Sequence, residues 1–125
     1  MWKGEGKAVG REYELRDRTK HFALRIIRLY GALPKTTEAQ VIGKQLLRSG
    51  TSVAANYREA SRARSDAELI SKLSIVEQEL DESLLWMELV VESGIMPDVK
   101  LAELRGESEE LLRMTVASIK TLKSR

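Results

Sequence analysis

Glu79 and Glu82 have the types and spacing to do chemistry. Residues three apart lie on one face of a helix, so the pair could hold a cation or meet an arginine. A di-iron or di-manganese bundle needs Glu-x-x-His on two helices with further glutamates. This chain has a single histidine, His21, expected to be solvated. Pairing with arginine is therefore the expectation for Glu79 and Glu82, with no metal and no cofactor. Cysteine is absent, which excludes disulfides and thiolate ligands. The serines have no base positioned to activate them. No glycine-rich phosphate loop stands between a strand and a helix. A non-enzymatic protein is expected.

The second chemical signal is cationic. Arg48, Arg58 and Arg62 share one stripe of a helix with Thr51 and Ala55, roughly 150° from that helix's apolar stripe, and so face away from the core. With Arg64, and with Arg16, Arg18, Lys20, Arg25 and Arg28 nearer the N-terminus, they form a candidate set of phosphate contacts. Nothing here resembles a base-reading module, so binding to RNA or single-stranded DNA would be mainly electrostatic or shape-driven. The net charge is only +2, but residues 1–64 carry 14 Lys and Arg against 6 Asp and Glu. Residues 65–125 carry 7 against 13. The two halves could neutralise each other, within one bundle or between subunits, or leave a basic face for nucleic acid. In the first case the arginines pair with acids across subunit interfaces and the protein is a structural interaction module.

These side chains must be carried by helices. Hydrophobic residues make up 42% of the chain and charged residues 32%, with two prolines, and no strand pattern or repeat is visible. Residues 1–11 contain Gly4, Gly6 and Gly10 and are expected to form a flexible arm, with Trp2 the one residue able to pack. A four-helix bundle follows over 12–125. The first helix, about 12–32, has its stripe in Leu15, Thr19, Phe22, Ile26, Leu29 and Leu33, and ends at Gly31 and Pro34. The second, about 37–62, opens with a capping box at Thr37-x-x-Gln40. Its core stripe is Ile42, Leu46, Gly50, Val53, Tyr57 and Ala60. Gly43 and Gly50 each cost about 1 kcal/mol of helix propensity relative to Ala, which predicts close helix packing there. Gly50 and Tyr57 face inward, while Asn56 and Glu59 lie further round, where polar groups can tie neighbouring helices.

The third helix, about 66–93, opens with a capping box at Ser65-x-x-Glu68 and stops at Gly94. Leu69, Leu73, Val76, Leu80, Leu84, Met87 and Val91 give its core stripe. A second stripe, Lys72, Ile75, Glu79, Glu82, Trp86 and Leu89, lies roughly 100° round the helix. It marks either a subunit interface or a helix packed on two sides within one bundle. The fourth helix, about 98–123, has Leu101, Leu104, Ser108, Leu111, Leu112, Thr115, Ile119 and Leu122 on its stripe, and Gly106 marks a break or a close approach. Short connections give an all-α, up-down-up-down bundle. No apolar run approaches the roughly 18–20 residues of a membrane span. The N-terminus has no signal-peptide core, and a cytoplasmic location is expected.

The run Gln45-Leu46-Leu47-Arg48-Ser49-Gly50-Thr51-Ser52-Val53-Ala54-Ala55-Asn56-Tyr57-Arg58-Glu59-Ala60, with Lys72, Leu73, Ile75, Glu79, Glu82, Trp86 and Glu88, resembles the 23S ribosomal RNA intervening-sequence family of bacterial four-helix-bundle proteins. Leu15, Ile26, Tyr30 and the Pro34 turn extend the similarity to roughly residues 12–122, although the first helix lacks some aromatic positions common in the family. The resemblance implies a four-helix bundle that assembles into a homo-oligomer, a pentamer. Some family genes lie within insertions in the ribosomal RNA gene. Related bundle proteins are accessory subunits of diversity-generating retroelements that bind a reverse transcriptase and nucleic acid. The resemblance thus implies nucleic acid or a reverse transcriptase as partners.

Overall fold

The computed structural model describes the backbone of residues 6–125 and the side chains of residues 14–125. Four long helices follow in order: α1 (Gly6–Ala32), α2 (Thr37–Ala60), α3 (Asp66–Glu92) and α4 (Ala102–Lys123). A single 3-10 turn, Asp98–Lys100, precedes α4, and the described residues contain no strand. α1 starts six residues before the expected Glu12. Gly6 and Gly10 weaken a helix, yet once a helix is nucleated each further residue adds a hydrogen bond for one residue fixed. Trp2 and the rest of residues 1–5 lie outside the described residues.

The helix starts show which side chains compete for the orphan amides. At α2 the cap is Thr36, not Thr37; its hydroxyl accepts from the Ala39 amide at 3.4 Å. Gln40 is therefore free for other work. Its Nε2 donates to the Pro34 carbonyl, and its Oε1 accepts from the Tyr30 hydroxyl, both at 3.0 Å. Ser65 caps α3 as expected, accepting from the Glu68 amide at 3.1 Å. α3 ends at Glu92 and Ser93 is its C-cap, with Gly94 at φ +79°, a conformation that favours glycine because it has no Cβ.

α2 is the central helix, packed against α1 on one side and α3 on the other. Gly50 lies against Ile26 and Gly43 against Leu33, so rising numbers on α1 meet falling numbers on α2 and the pair is antiparallel. Ser49 meets Ser83 and Glu59 meets Lys72, giving the same sense between α2 and α3. Ser108 reaches the Leu80 carbonyl, and Arg18 reaches Glu107, which closes the ring of four. The up-down-up-down order is thus the one short loops require.

The core contains Leu15, Phe22, Ile26, Leu46, Val53, Tyr57, Leu69, Leu73, Val76, Leu80, Met87, Leu101 and Leu111, all buried. On α3 the buried row runs through Ser83 and Val90, not the expected Leu84 and Val91. A strict 3–4 spacing places Ser83 inward, and its polarity hides that from a search for apolar residues. Its burial is satisfied: its hydroxyl bonds to Ser49 Oγ at 2.8 Å and donates to the Glu79 carbonyl at 2.8 Å. Gly106 is exposed, with open space where a Cβ would stand; it marks neither a break nor a close approach. At Gly50 an added Cβ would lie 2.7 Å from Ile26 Cγ1 and 2.9 Å from Cγ2. Ile26 is β-branched, stiff and buried, so it cannot move aside cheaply.

Arg48 ties α2 to α3. Its Nη1 donates to Glu79 at 3.2 Å and its Nη2 to Glu82 at 2.8 Å. The expected outward arginine is therefore already paired inside the chain, and Glu79 is buried, not presented on a free stripe. Burial pushes the Glu79 carboxyl up. Hydrogen bonds from Ser52, Glu82 and Arg48, with the Arg48 charge, outweigh it and hold the group below the usual carboxylate range. Glu82 is pushed up, first by its hydrogen bond to Glu79 and then by burial and the Glu79 charge. Between the two, the first proton taken up on acidification resides on Glu82.

Two outcomes follow for stability. Gly106→Ala is expected to stabilise by about 0.5–1 kcal/mol through helix propensity, whereas Gly50→Ala should destabilise by about 1–2 kcal/mol, because overpacking against Ile26 exceeds the propensity gain. Urea unfolding of both variants checks this, and a stabilised Gly50→Ala would contradict the close approach. The depressed Glu79 adds stability above the unfolded carboxyl value near 4.3 that is lost as pH falls through the folded value. The raised Glu82 has the opposite sign, adding stability below its unfolded value that is lost as pH rises through the folded one. Arg48→Met is therefore expected to cost about 1 kcal/mol at pH 7, small because the half-exposed guanidinium is screened, and less at pH 4. Equal losses in thermal melts at both pH values would mean that Arg48 acts through its packed stem and not its charge.

Candidate nucleic-acid interface

The nine cations expected to contact phosphate divide three ways once the helices are in place: three paired, one apart and five together. Arg18 bridges α1 to α4: its Nη2 donates to Glu107 at 2.7 Å, and Glu14 and Glu110 lie at 3.2 and 3.3 Å. The hydrogen bond to Glu107 dominates and, against the cost of burial, holds the guanidinium strongly protonated. Arg25 pairs with Glu103 at 3.1 Å, again joining α1 to α4. Arg48 is held by Glu79 and Glu82. These three are structural ties between helices of one chain. Arg28 is exposed and stands apart from the others.

The remaining five come together. Arg16 and Lys20 on α1, Arg58 at the end of α2, and Arg62 and Arg64 in the α2–α3 connection line one groove of about 670 Å³. α2 stops at Ala60 and not at the expected residue 62, so Arg62 lies in the turn beyond it. Lys72 and Glu68 on α3 complete its rim, with Glu59 on α2, and Ala54 and Ala55 are also part of the lining. Arg16 and Lys20, and Glu68 and Lys72, are each four residues apart on one helix, so each pair shares one helix face, while Arg62 follows Arg58 in the turn that ends α2. The antiparallel packing of α1, α2 and α3 brings the three faces to the same end of the bundle. The alanines project only a methyl group, which leaves the groove its depth.

Local geometry aims the connection's arginines outward. Ala60 and Ala63 are buried, and the Ala63 amide donates to the Ala60 carbonyl at 3.0 Å. Ser61 Oγ donates to the Arg58 carbonyl at 2.7 Å. This tight turn buries residues 60, 61 and 63 and leaves Arg62 and Arg64 exposed on either side of Ala63.

Six cations face two carboxylates in the groove. One carboxylate is already engaged: Lys72 Nζ donates to Glu59 Oε1 at 2.7 Å. Among the described residues no ion pair holds Arg16, Lys20, Arg58, Arg62 or Arg64. Such a surface attracts anions of high charge density, and its charged lining is unlike that of a pocket for an apolar ligand. Among the described residues no cluster of three or more His, Asp or Glu is placed to hold a metal ion. His21 is exposed.

The second stripe of α3 does not form one surface. Lys72 belongs to the groove, and Glu79 and Glu82 to Arg48. Ile75 is half-buried, and Trp86 is half-buried against the core, its indole N–H buried without a hydrogen-bond partner. Leu89 and its neighbour Leu85 are exposed, at 37% and 46%. Asn56 also differs from expectation: its amide donates back to the Ser52 carbonyl and hydroxyl at 3.0 and 2.9 Å, within α2. Glu59 does tie neighbouring helices, through Lys72. What the sequence reading missed is that Lys72 belongs with the α2 arginines. The i, i+4 pairing of Glu68 with Lys72, opposite Glu59, was a usable signal.

No described helix is long and apolar enough to cross a membrane. The search of curated proteins found no match. Among solved structures, the chain is similar to a crystal structure of a protein of unknown function from the S23 ribosomal protein family of Bacteroides thetaiotaomicron. The two share 35% identity with a TM-score of 0.82, over 87% of this chain and 97% of the other. The model of the 23S rRNA-intervening sequence protein family matches residues 11–117, the whole of the groove included. The chain belongs to the 23S rRNA-intervening sequence protein family.

Proposed function

We propose that this protein is a binding protein, not an enzyme, that holds the phosphate backbone of nucleic acid in the groove between α1, α2 and α3. The observation that carries the reading is the convergence there of Arg16, Lys20, Arg58, Arg62 and Arg64, none of which has an ion-pair partner among the described residues. Unpaired cations raise the local potential, and their release of counterions on binding gives affinity with a steep salt dependence. The family description, 23S rRNA-intervening sequence protein, makes RNA the first probe. A nucleic-acid-processing protein such as a reverse transcriptase is a further partner of this reading.

A second reading concerns assembly. Leu85 and Leu89 are exposed next to Trp86, and on a helix they form one continuous apolar patch. That supports a homo-oligomer, a pentamer by family resemblance, in which the patch is covered by another subunit. The alternative in which arginines pair with acids across subunits loses three of its candidates, since Arg18, Arg25 and Arg48 pair within the chain.

Fluorescence anisotropy with a short RNA at 50–200 mM salt tests the groove. The triple variant Arg58→Ala, Arg62→Ala, Arg64→Ala is expected to lose affinity about 10–100-fold and to lower the salt slope by about 2–3. Arg28→Ala, exposed but outside the groove, should stay within about twofold. Wild-type affinity in the triple variant would sink the proposal. For assembly, Leu85→Glu with Leu89→Glu should shift the oligomer to monomer in light scattering while helical content is retained. A monomeric wild type would rule the oligomer out.

A further inference from the structure

The groove holds one cation differently from the rest. Lys72 Nζ sits 2.7 Å from Glu59 Oε1, while the five other cations have no such partner among the described residues. Glu59 is well exposed, with 56% of its side chain accessible, so its carboxylate stands in the mouth of the groove and not beneath it. It follows Arg58 in sequence and shares the lining with Arg62 and Arg64. The Glu59 carboxylate and a phosphate oxygen are acceptors of the same kind for the Lys72 ammonium, and Glu59 already makes that contact.

Resting on the proposed nucleic-acid reading, we infer that Glu59 is the specificity-determining residue of the groove: an internal counter-ion on Lys72 that an incoming phosphate must displace. The Glu59 contact is the first of the influences that hold the Lys72 ammonium protonated, with Glu68 a weaker and more distant one. Lys72 is thus fully charged but already neutralised locally. An isolated anion gains little by exchanging for a carboxylate of similar charge. A polyanion does better, because phosphates seated on Arg58, Arg62 and Arg64 hold the next phosphate close to Lys72 at high effective concentration. The exchange therefore favours a chain of closely spaced phosphates over a single small anion. It also sets the affinity below the limit that six free cations would reach.

The test is Glu59→Gln, which keeps the size and removes the charge. RNA affinity by anisotropy at 100 mM salt is expected to rise roughly two- to fivefold, the range for losing one exposed ion pair. The salt slope should steepen by about 0.7–0.9, as one more cation releases its counterion on binding. Inorganic phosphate is expected to compete poorly against wild type and better against the variant. Glu68→Gln removes the other carboxylate of the groove and should have a smaller effect, since only Glu59 touches Lys72. Adding Lys72→Ala to Glu59→Gln should abolish the gain. Circular dichroism and thermal melting confirm that each variant is folded; the exposed position of Glu59 leaves the fold intact. If wild type binds RNA and folded Glu59→Gln binds it no more tightly, or Glu68→Gln gives an equal gain, the inference is overturned and the groove reading stands. If neither wild type nor Glu59→Gln binds RNA, the groove reading itself is overturned, and the inference with it.

Discussion

Three consecutive residues, Arg48, Ser49 and Gly50, hold the molecule together. Gly50 lets α2 approach Ile26 of α1 so closely that a Cβ would not fit. Ser49, next in the turn, meets Ser83 of α3 through a buried hydroxyl pair. Arg48, further round, grips Glu79 and Glu82. One turn of α2 thus fixes both neighbours, by a steric contact on one side and polar contacts on the other. A buried hydroxyl pair is acceptable because each group is satisfied. The tight contact at Gly50 is acceptable because dispersion gained across it offsets the poor helix propensity of glycine.

The groove depends on that turn. Ala54 and Ala55 lie one turn further along α2, Arg58 one turn beyond, and Arg62 in the connection just past its end. Because α1 and α3 are set by Gly50 and Ser49, their own cations, Arg16, Lys20 and Lys72, arrive at the level of Arg58. The small residues on successive turns of α2 serve different ends. At Gly50 the lack of a side chain brings helices together. At Ala54 and Ala55 it leaves space open to solvent. Elsewhere the basic half of the chain is spent on its own acidic half. Arg18 and Arg25 join α1 to α4, a pairing of helices with little other contact, and Arg48 joins α2 to α3. Of the nine cations with chemical potential, the fold neutralises three, strands Arg28 and concentrates five.

Much of this was legible beforehand. The 3–4 spacing of Leu15, Phe22 and Ile26, of Leu46, Val53 and Tyr57, and of Leu69, Leu73 and Leu80 is enough to specify helices and their buried faces. The glycine cost at position 50 was a correct pointer to close packing. Glu79 and Glu82 without a histidine were correctly matched to arginine. Errors fell where polar residues behave as core or where two residues compete for one role. Ser83 was overlooked because a hydroxyl does not read as apolar, though its hydrogen bonds let it be buried. Thr36 and Thr37 both suit a cap, and the Pro34 turn gives the place to Thr36.

By itself, then, the sequence determined the helices, their order, their inward faces and the uneven charge of the two halves, because local periodicity and composition act over a few residues at a time. Only the tertiary structure decided which cations remain unpaired. Arg48 and Arg58 share one stripe of one helix and are indistinguishable by spacing. Their fates differ because α3 presents Glu79 and Glu82 opposite Arg48, whereas opposite Arg58 the neighbours bring Arg16 and Lys20 beside a Glu59 already held by Lys72. Electrostatic pairing depends on distance between helices, and that distance is set by packing at Gly50 and Ser49.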